Sequence, residues 1–97
     1  MKYVELKRYS IRYCTAVRCL LDIGTEKMAA IMGYSKQTLE KWEKTQGKNS
    51  NANTKKRFEI LYTQAIDKAI EEADSVRTKQ VSLFTEQYYD EYPEERA

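Results

Sequence analysis

Apolar residues recur at helical spacing in several stretches of the chain, and turn-forming residues separate those stretches. In SIRYCTAVRCLLD, residues 10–22, Ile11, Cys14, Val17 or Arg18, and Leu21 follow one helical face, and Ser10 suits an N-cap. Gly24 then stands where a helix often ends in a left-handed residue. The preceding KYVELKRY reads three ways: an extension of this helix, a short strand, or a basic arm. A second helix is predicted from an N-cap at Thr25, with Glu26 near the positive helix end, running through Met32 to Gly33. Ser35 caps a third helix over Lys36 to about Lys44. The segment TQGKNSNAN, residues 45–53, holds no apolar residue larger than Ala52 and is rich in turn formers, so it reads as a loop.

From Thr54 to about Thr78 no Gly or Pro interrupts the chain. Phe58, Leu61, Tyr62, Ala65, Ile66, Ala69, Ile70, Ala73 and Val76 form a broad stripe at period 3.6. The pattern predicts one helix longer than the usual three or four turns. Beyond it, QVSLFTEQYY has β-branched and aromatic content that suits either a strand or a further helical turn. YYDEYPEERA is acidic and carries a proline break, and mobility is expected there unless a partner holds it. The expected fold is all-α: a small helix-turn-helix bundle of four to five helices, with a long C-terminal helix followed by either a short strand or a further helical turn. The organisation is a helix-turn-helix region over 1–62, the remainder of the long helix with a dimerisation segment over 63–85, and an acidic tail over 86–97.

Composition narrows the function. With 97 residues, 41% hydrophobic and 11% aromatic, the chain suits one small folded domain. No apolar run reaches the roughly 20 residues of a membrane helix, and MKYVELKRYS lacks the apolar block of a secretion signal. A cytoplasmic protein with no membrane partner is the expectation. Cys14 and Cys19 are too few for a zinc site and, five apart on a helix, point in different directions, so both read as small packing residues. The chain has no histidine, no GxSxG and no glycine-rich phosphate loop. Neither an enzyme nor a metal or other cofactor is expected.

Charge is divided along the chain. Residues 1–57 carry 13 Lys or Arg against 5 Asp or Glu, a balance of +8. Residues 58–97 carry 4 against 10, a balance of −6, and together they make the net +2. A basic half suits a polyanion, whereas the acidic half argues for a different role.

The stretch TEKMAAIMGYSKQTLEKWEK, residues 25–44, has the arrangement of two helices meeting steeply through a short turn. Ala29 is small where the helices approach, Gly33 supplies the positive φ of the turn, and Met28, Met32, Tyr34, Leu39 and Trp42 fill the apolar slots. Through Thr25, Ala29, Gly33, Ser35, Leu39 and the Trp42–Glu43 pair, the stretch resembles the helix-turn-helix of the lambda-repressor and Cro-like DNA-binding regulators. The resemblance covers about residues 10–62. It implies a helical bundle whose third helix enters the major groove, usually as a dimer on a two-fold site. The chain departs from the family at Glu26, where a phosphate-contacting glutamine is common, and in its long uninterrupted helix.

If Leu39 and Trp42 face inward, Lys36, Gln37, Glu40, Lys41 and Lys44 face outward. Gln37 suits a bidentate pair with adenine, Lys36 and Lys41 suit guanine acceptors or phosphate, and Glu40 suits a cytosine amino group unless it pairs with Lys36 and Lys44. The base-reading set is therefore Lys36, Gln37, Glu40 and Lys41. Lys55, Lys56 and Arg57 stand in the first turn of the long helix, where the macrodipole disfavours cations. With Ser35, Lys44, Lys48, Asn49 and Asn51 they form the expected phosphate-binding set. A dimer interface is expected from Ile70, Ala73, Val76, Val81, Leu83 and Phe84, unless the chain after residue 78 folds back on itself. The functional expectation is a dimeric, sequence-specific regulator of double-stranded DNA, a repressor of bacterial or phage type. The alternative is a protein-interaction module, such as an antitoxin or an inhibitor of a host factor, whose partner binds Tyr88, Tyr89, Tyr92 and the acidic residues of the tail.

Overall fold

The computed structural model describes residues 7–96, and the described residues contain five α-helices, a short 3-10 turn and no strand. The helices are α1 (Ile11–Leu20), α2 (Thr25–Met32), α3 (Lys36–Thr45), α4 (Ala52–Glu72) and α5 (Ser75–Glu91), and the 3-10 turn is Pro93–Glu95. Most of the KYVELKRY stretch lies outside the described residues, while Lys7 to Tyr9 lead into α1 without joining it. No described helix is long and apolar enough to cross a membrane.

The caps explain most helix ends. The Ser10 hydroxyl accepts from the Tyr13 N–H at 3.1 Å, the Ser35 hydroxyl from the Thr38 N–H at 3.2 Å, and the Asn51 side chain from the Thr54 N–H at 2.8 Å. Gly33 closes α2 in the left-handed region at φ 83°. Two expected caps differ. The left-handed residue after α1 is Asp22, at φ 59°, because the chain turns two residues earlier than Gly24. Gly24 instead has extended backbone and is the N-cap of α2, so Thr25 is the first helical residue.

The long helix expected to run to Thr78 ends at Glu72. Ala73 leaves helical geometry with ψ 155°, and Asp74 then caps α5, its carboxylate accepting from the Arg77 N–H at 2.8 Å. A local side-chain cap thus breaks the chain without glycine or proline. Arg77 Nη1 donates to the Leu20 carbonyl at 2.9 Å, which fastens the start of α5 to the end of α1. The segment expected to be a strand or further helix is helix throughout, because α5 satisfies its own backbone and packs only one face.

That packing accounts for several residues assigned to a dimer interface. Val81 is buried in the chain's own core and Phe84 packs against it, with Ile70 and Ala73 half-buried beside them. Only Val76, 66% exposed, and Leu83, 55% exposed, face away from the core. The tail is also held. Tyr88 is buried, its hydroxyl lies 3.1 Å from the Ser10 hydroxyl and donates to Glu95 at 2.6 Å. Tyr13, Phe84, Tyr88, Tyr89 and Tyr92 form one aromatic cluster with neighbouring ring centroids 4.8–6.1 Å apart. The tail expected to be mobile is held because Phe84, Tyr88 and Tyr89 lie on the face of α5 that meets Tyr13 of α1, and Tyr92 packs on Tyr88.

A single core joins the elements. Ile11, Cys14 and Val17 of α1, Met28 and Met32 of α2, Leu39 of α3, and Phe58, Tyr62 and Ile66 of α4 meet at its centre. Cys14 is buried as expected, and burial pushes its thiol pKa up. Cys19 is exposed and is not a packing residue.

Candidate nucleic-acid interface

The orientation of α3 follows from both of its ends and from its buried face. At the entry, the Tyr34 N–H donates to the Ala29 carbonyl at 2.8 Å and the Gly33 N–H to the Ala30 carbonyl at 3.2 Å, so the turn satisfies the last carbonyls of α2. Ala29 is buried at the helix crossing, as its size predicts. On the inner face Leu39 is fully buried, and the Trp42 ring stacks on Phe58 at 4.4 Å and 11°.

Glu43, next to Trp42, fixes α3 against two other helices. Its carboxylate accepts from Arg18 Nε at 2.9 Å and Nη2 at 3.0 Å, and also from the Tyr62 hydroxyl. Arg18 Nη1 donates to the Ile23 carbonyl at 2.7 Å, which adds the α1–α2 turn to the network. Burial opposes the charge of Arg18, but its bonds to Glu43 outweigh that and raise the pKa. Burial, then the bond to Glu43, raises that of Tyr62. A bidentate arginine with this many donors and acceptors matched is a rigid cross-brace between α1, α3 and α4.

With that face fixed, Lys36, Gln37, Glu40, Lys41 and Lys44 all project into solvent, as the inward placement of Leu39 and Trp42 predicts. Glu40 makes no ion pair with Lys36 or Lys44 among the described residues, whose ion pairs join Lys7 to Asp67, Arg8 to Glu59, Arg12 to Glu95 and Arg18 to Glu43. The outer face of α3 thus carries polar and cationic groups without an internal carboxylate partner.

The expected phosphate-binding residues divide into three places. Lys44, Lys48, Asn49 and Lys55 come together around an open depression of roughly 500 Å³ between the end of α3 and the start of α4, joined by Thr45, Gln46 and Arg12. Ser35 and Asn51 are exposed, but their side chains are engaged as caps. Lys56 and Arg57 are exposed and do not line the depression. The loop is shorter than expected, because α4 begins at Ala52. Lys55, Lys56 and Arg57 therefore lie in its second turn, where the unfavourable helix-end field has largely decayed.

The loop shape depends on Gln46 and Gly47, both left-handed at φ 54° and 74°. A Cβ on Gly47 would stand 2.8 Å from the Trp42 ring and 3.0 Å from Lys55 Cγ. Glycine at this position lets the loop close over the tryptophan and seats the Lys55 stem beside it.

Arg12 is the functional candidate that the sequence pattern did not single out. It occupies the second position of α1, in the first turn, where a cation opposes the helix field. That breach of a local rule is the signal that marks it. No protein-family model, no curated protein and no solved structure matches the chain, so the role of this face is read from its own geometry.

Proposed function

We propose that the chain is a sequence-specific DNA-binding regulator of the repressor type, acting in the cytoplasm through α3 in the major groove. The observation that carries this reading is the outer face of α3: Lys36, Gln37, Glu40 and Lys41 are exposed and make no ion pair among the described residues, on a helix braced from behind. The cations Lys44, Lys48 and Lys55 at its end suit the flanking phosphates, which set register while base edges set sequence. A helix presented by a tight helical hairpin is the geometry of major-groove reading, and it agrees with the resemblance to lambda-repressor and Cro-like regulators.

A second copy of the chain fits this reading, since paired recognition helices roughly 34 Å apart read a two-fold site. The surface left for it on α5 is Val76 and Leu83, seven residues apart on one exposed face, with the half-buried Ile70 and Ala73 near its start. The test is selection of bound duplexes from a random pool, followed by titration over a salt series. A consensus with two-fold symmetry, and a steep fall in affinity with salt, are expected. Gln37→Ala should flatten the preference between consensus and variant sites by about 1–3 kcal/mol. Lys48→Ala should weaken all sequences alike and reduce the salt slope by about 0.9. A pool that yields no enriched sequence overturns the specific reading.

A further inference from the structure

Arg12 has two neighbourhoods at once. It lines the basic depression with Lys44, Lys48 and Lys55, and its guanidinium also faces the C-terminal turn. There it lies 3.4 Å from the Glu95 carboxylate and 4.5 Å from the centre of the Tyr92 ring. The ion pair is a weak tether, because the Arg12 side chain is 42% exposed and that of Glu95 is 21% exposed. Glu95 does not depend on Arg12 for its position. It also accepts from the buried Tyr88 at 2.6 Å, and Tyr92 packs on Tyr88 with centroids 4.8 Å apart. The turn is thus anchored by aromatic packing, and it delivers one carboxylate to one cation of the depression.

We infer that Glu95 is an intramolecular competitor for a phosphate site: Arg12 is a phosphate-binding residue of the interface, and the C-terminal turn occupies it until a DNA phosphodiester takes the place of the carboxylate. This rests on the DNA-binding reading above. Bound DNA gains the contact to Arg12 only by displacing Glu95 from it. The acidic turn therefore lowers affinity for every sequence and leaves base preference unchanged, because Arg12 stands apart from the α3 residues that face the groove. Arg12 meets Glu95 through the single contact of Nη1 with Oε2 at 3.4 Å, so a phosphate that takes the guanidinium fork in two bonds gains one that the carboxylate does not make.

The test is a cycle of Glu95→Gln, Arg12→Gln and the double variant, each titrated by fluorescence anisotropy against one duplex over a salt series. Glutamine retains an acceptor for Tyr88, and an unchanged thermal midpoint verifies that the turn is intact. Glu95→Gln should bind several-fold more tightly than the unsubstituted chain, with a salt slope steeper by up to about 0.9, the share of one additional phosphate. Arg12→Gln and the double variant should bind equally, both less tightly than Glu95→Gln. If the unsubstituted chain binds DNA and Glu95→Gln binds it with the same affinity and slope, competition is refuted while DNA binding stands. Weaker binding by Glu95→Gln also refutes it, since Glu95 would then be positioning Arg12. If no variant binds a duplex, the DNA reading falls and the inference falls with it.

Discussion

Replacing Glu43 by leucine removes the acceptor from both Arg18 N–H groups and from the Tyr62 hydroxyl in a single step. The side chains of Arg18 and Glu43 are 11% and 10% exposed, so solvent cannot replace what is lost. Breaking a buried pair by removing one partner costs about 3–5 kcal/mol, most of it from the charge left behind. Set against the 5–15 kcal/mol typical of a domain, that is a large fraction of the total. At about 4–8 °C per kcal/mol for a chain of this size, the lower figure corresponds to a fall in Tm of roughly 12–24 °C. Arg18→Met leaves the Glu43 carboxylate with only the Tyr62 hydroxyl as a donor, and Glu43→Leu leaves Arg18 with the Ile23 carbonyl, so each single variant strands a buried charge with part of its bonds lost. The double variant Arg18→Met/Glu43→Leu should be more stable than Glu43→Leu alone, since no buried charge remains. Thermal and urea unfolding followed by far-UV circular dichroism measure all three, and a double-mutant cycle gives the coupling. If the single costs add in the double variant to within about 0.5 kcal/mol, the pair is not coupled and the brace behind α3 is refuted.

Gly47→Ala should destabilise more than Gly33→Ala in urea titrations. Both add a left-handed penalty of about 1–2 kcal/mol, but only Gly47 adds a clash with Trp42 and Lys55, an overpacking of typically 1–3 kcal/mol; equal midpoints would contradict that loop geometry. Stability should fall as pH rises above 10, the ordinary tyrosine value. Burial raises the pKa of Tyr13, Tyr62 and Tyr88 in the fold, so their contribution is complete below pH 10 and is lost above it, by up to about 1.4 kcal/mol per residue per pH unit; a flat urea midpoint between pH 9.5 and 11 would disprove it. Ellman's reagent should titrate one thiol rapidly in the folded chain, the exposed Cys19, and the second only in denaturant, because Cys14 is buried; two thiols reacting at one rate would show that α1 is not packed as described.

What could be read from the sequence was whatever depends on residues close together in the chain. Ser10, Gly33 and Ser35 mark their helix ends by chemistry that acts over three or four residues, and the period of Leu39 and Trp42 sets which side of α3 is outward. The stripe after Phe58 was misleading because periodicity does not register a break that preserves phase. Ala73 and Val76 continue the apolar spacing, yet Asp74 offers its carboxylate to the next turn and a second helix begins. Asp is a preferred N-cap, so the signal was present, but a search for glycine and proline passes over it. The return of α5 to α1 was not readable at all: Arg77 to Leu20 and Thr85 to Tyr13 join residues more than fifty positions apart. For the same reason Val81 and Phe84 looked like surface for another molecule. In the candidate site, Lys55, Lys56 and Arg57 lie one turn further into their helix than the turn-former pattern before them predicts, because α4 begins at Ala52. Arg12 does stand in the first turn of its helix, and only the fold brings it beside Lys44 and Lys48.

The division of charge along the chain takes on a different meaning once the helices are packed. Lys7 and Arg8 pair with Asp67 and Glu59 of α4, and Arg12 pairs with Glu95 of the C-terminal turn, so the acidic half neutralises cations that lead into α1 and begin it. Arg18 is matched by Glu43 within the basic half itself. Those four carboxylates are taken up by cations of α1 and of the chain leading into it, while Lys36, Lys41, Lys44 and Lys48 make no ion pair among the described residues. A chain of net charge +2 can in this way present a concentrated positive face without the self-repulsion that a uniformly basic domain of this size would carry. Asp67, Glu59 and Glu95 hold the approach to α1 and its first turn, and at Glu95 the same kind of contact reaches the edge of the basic depression.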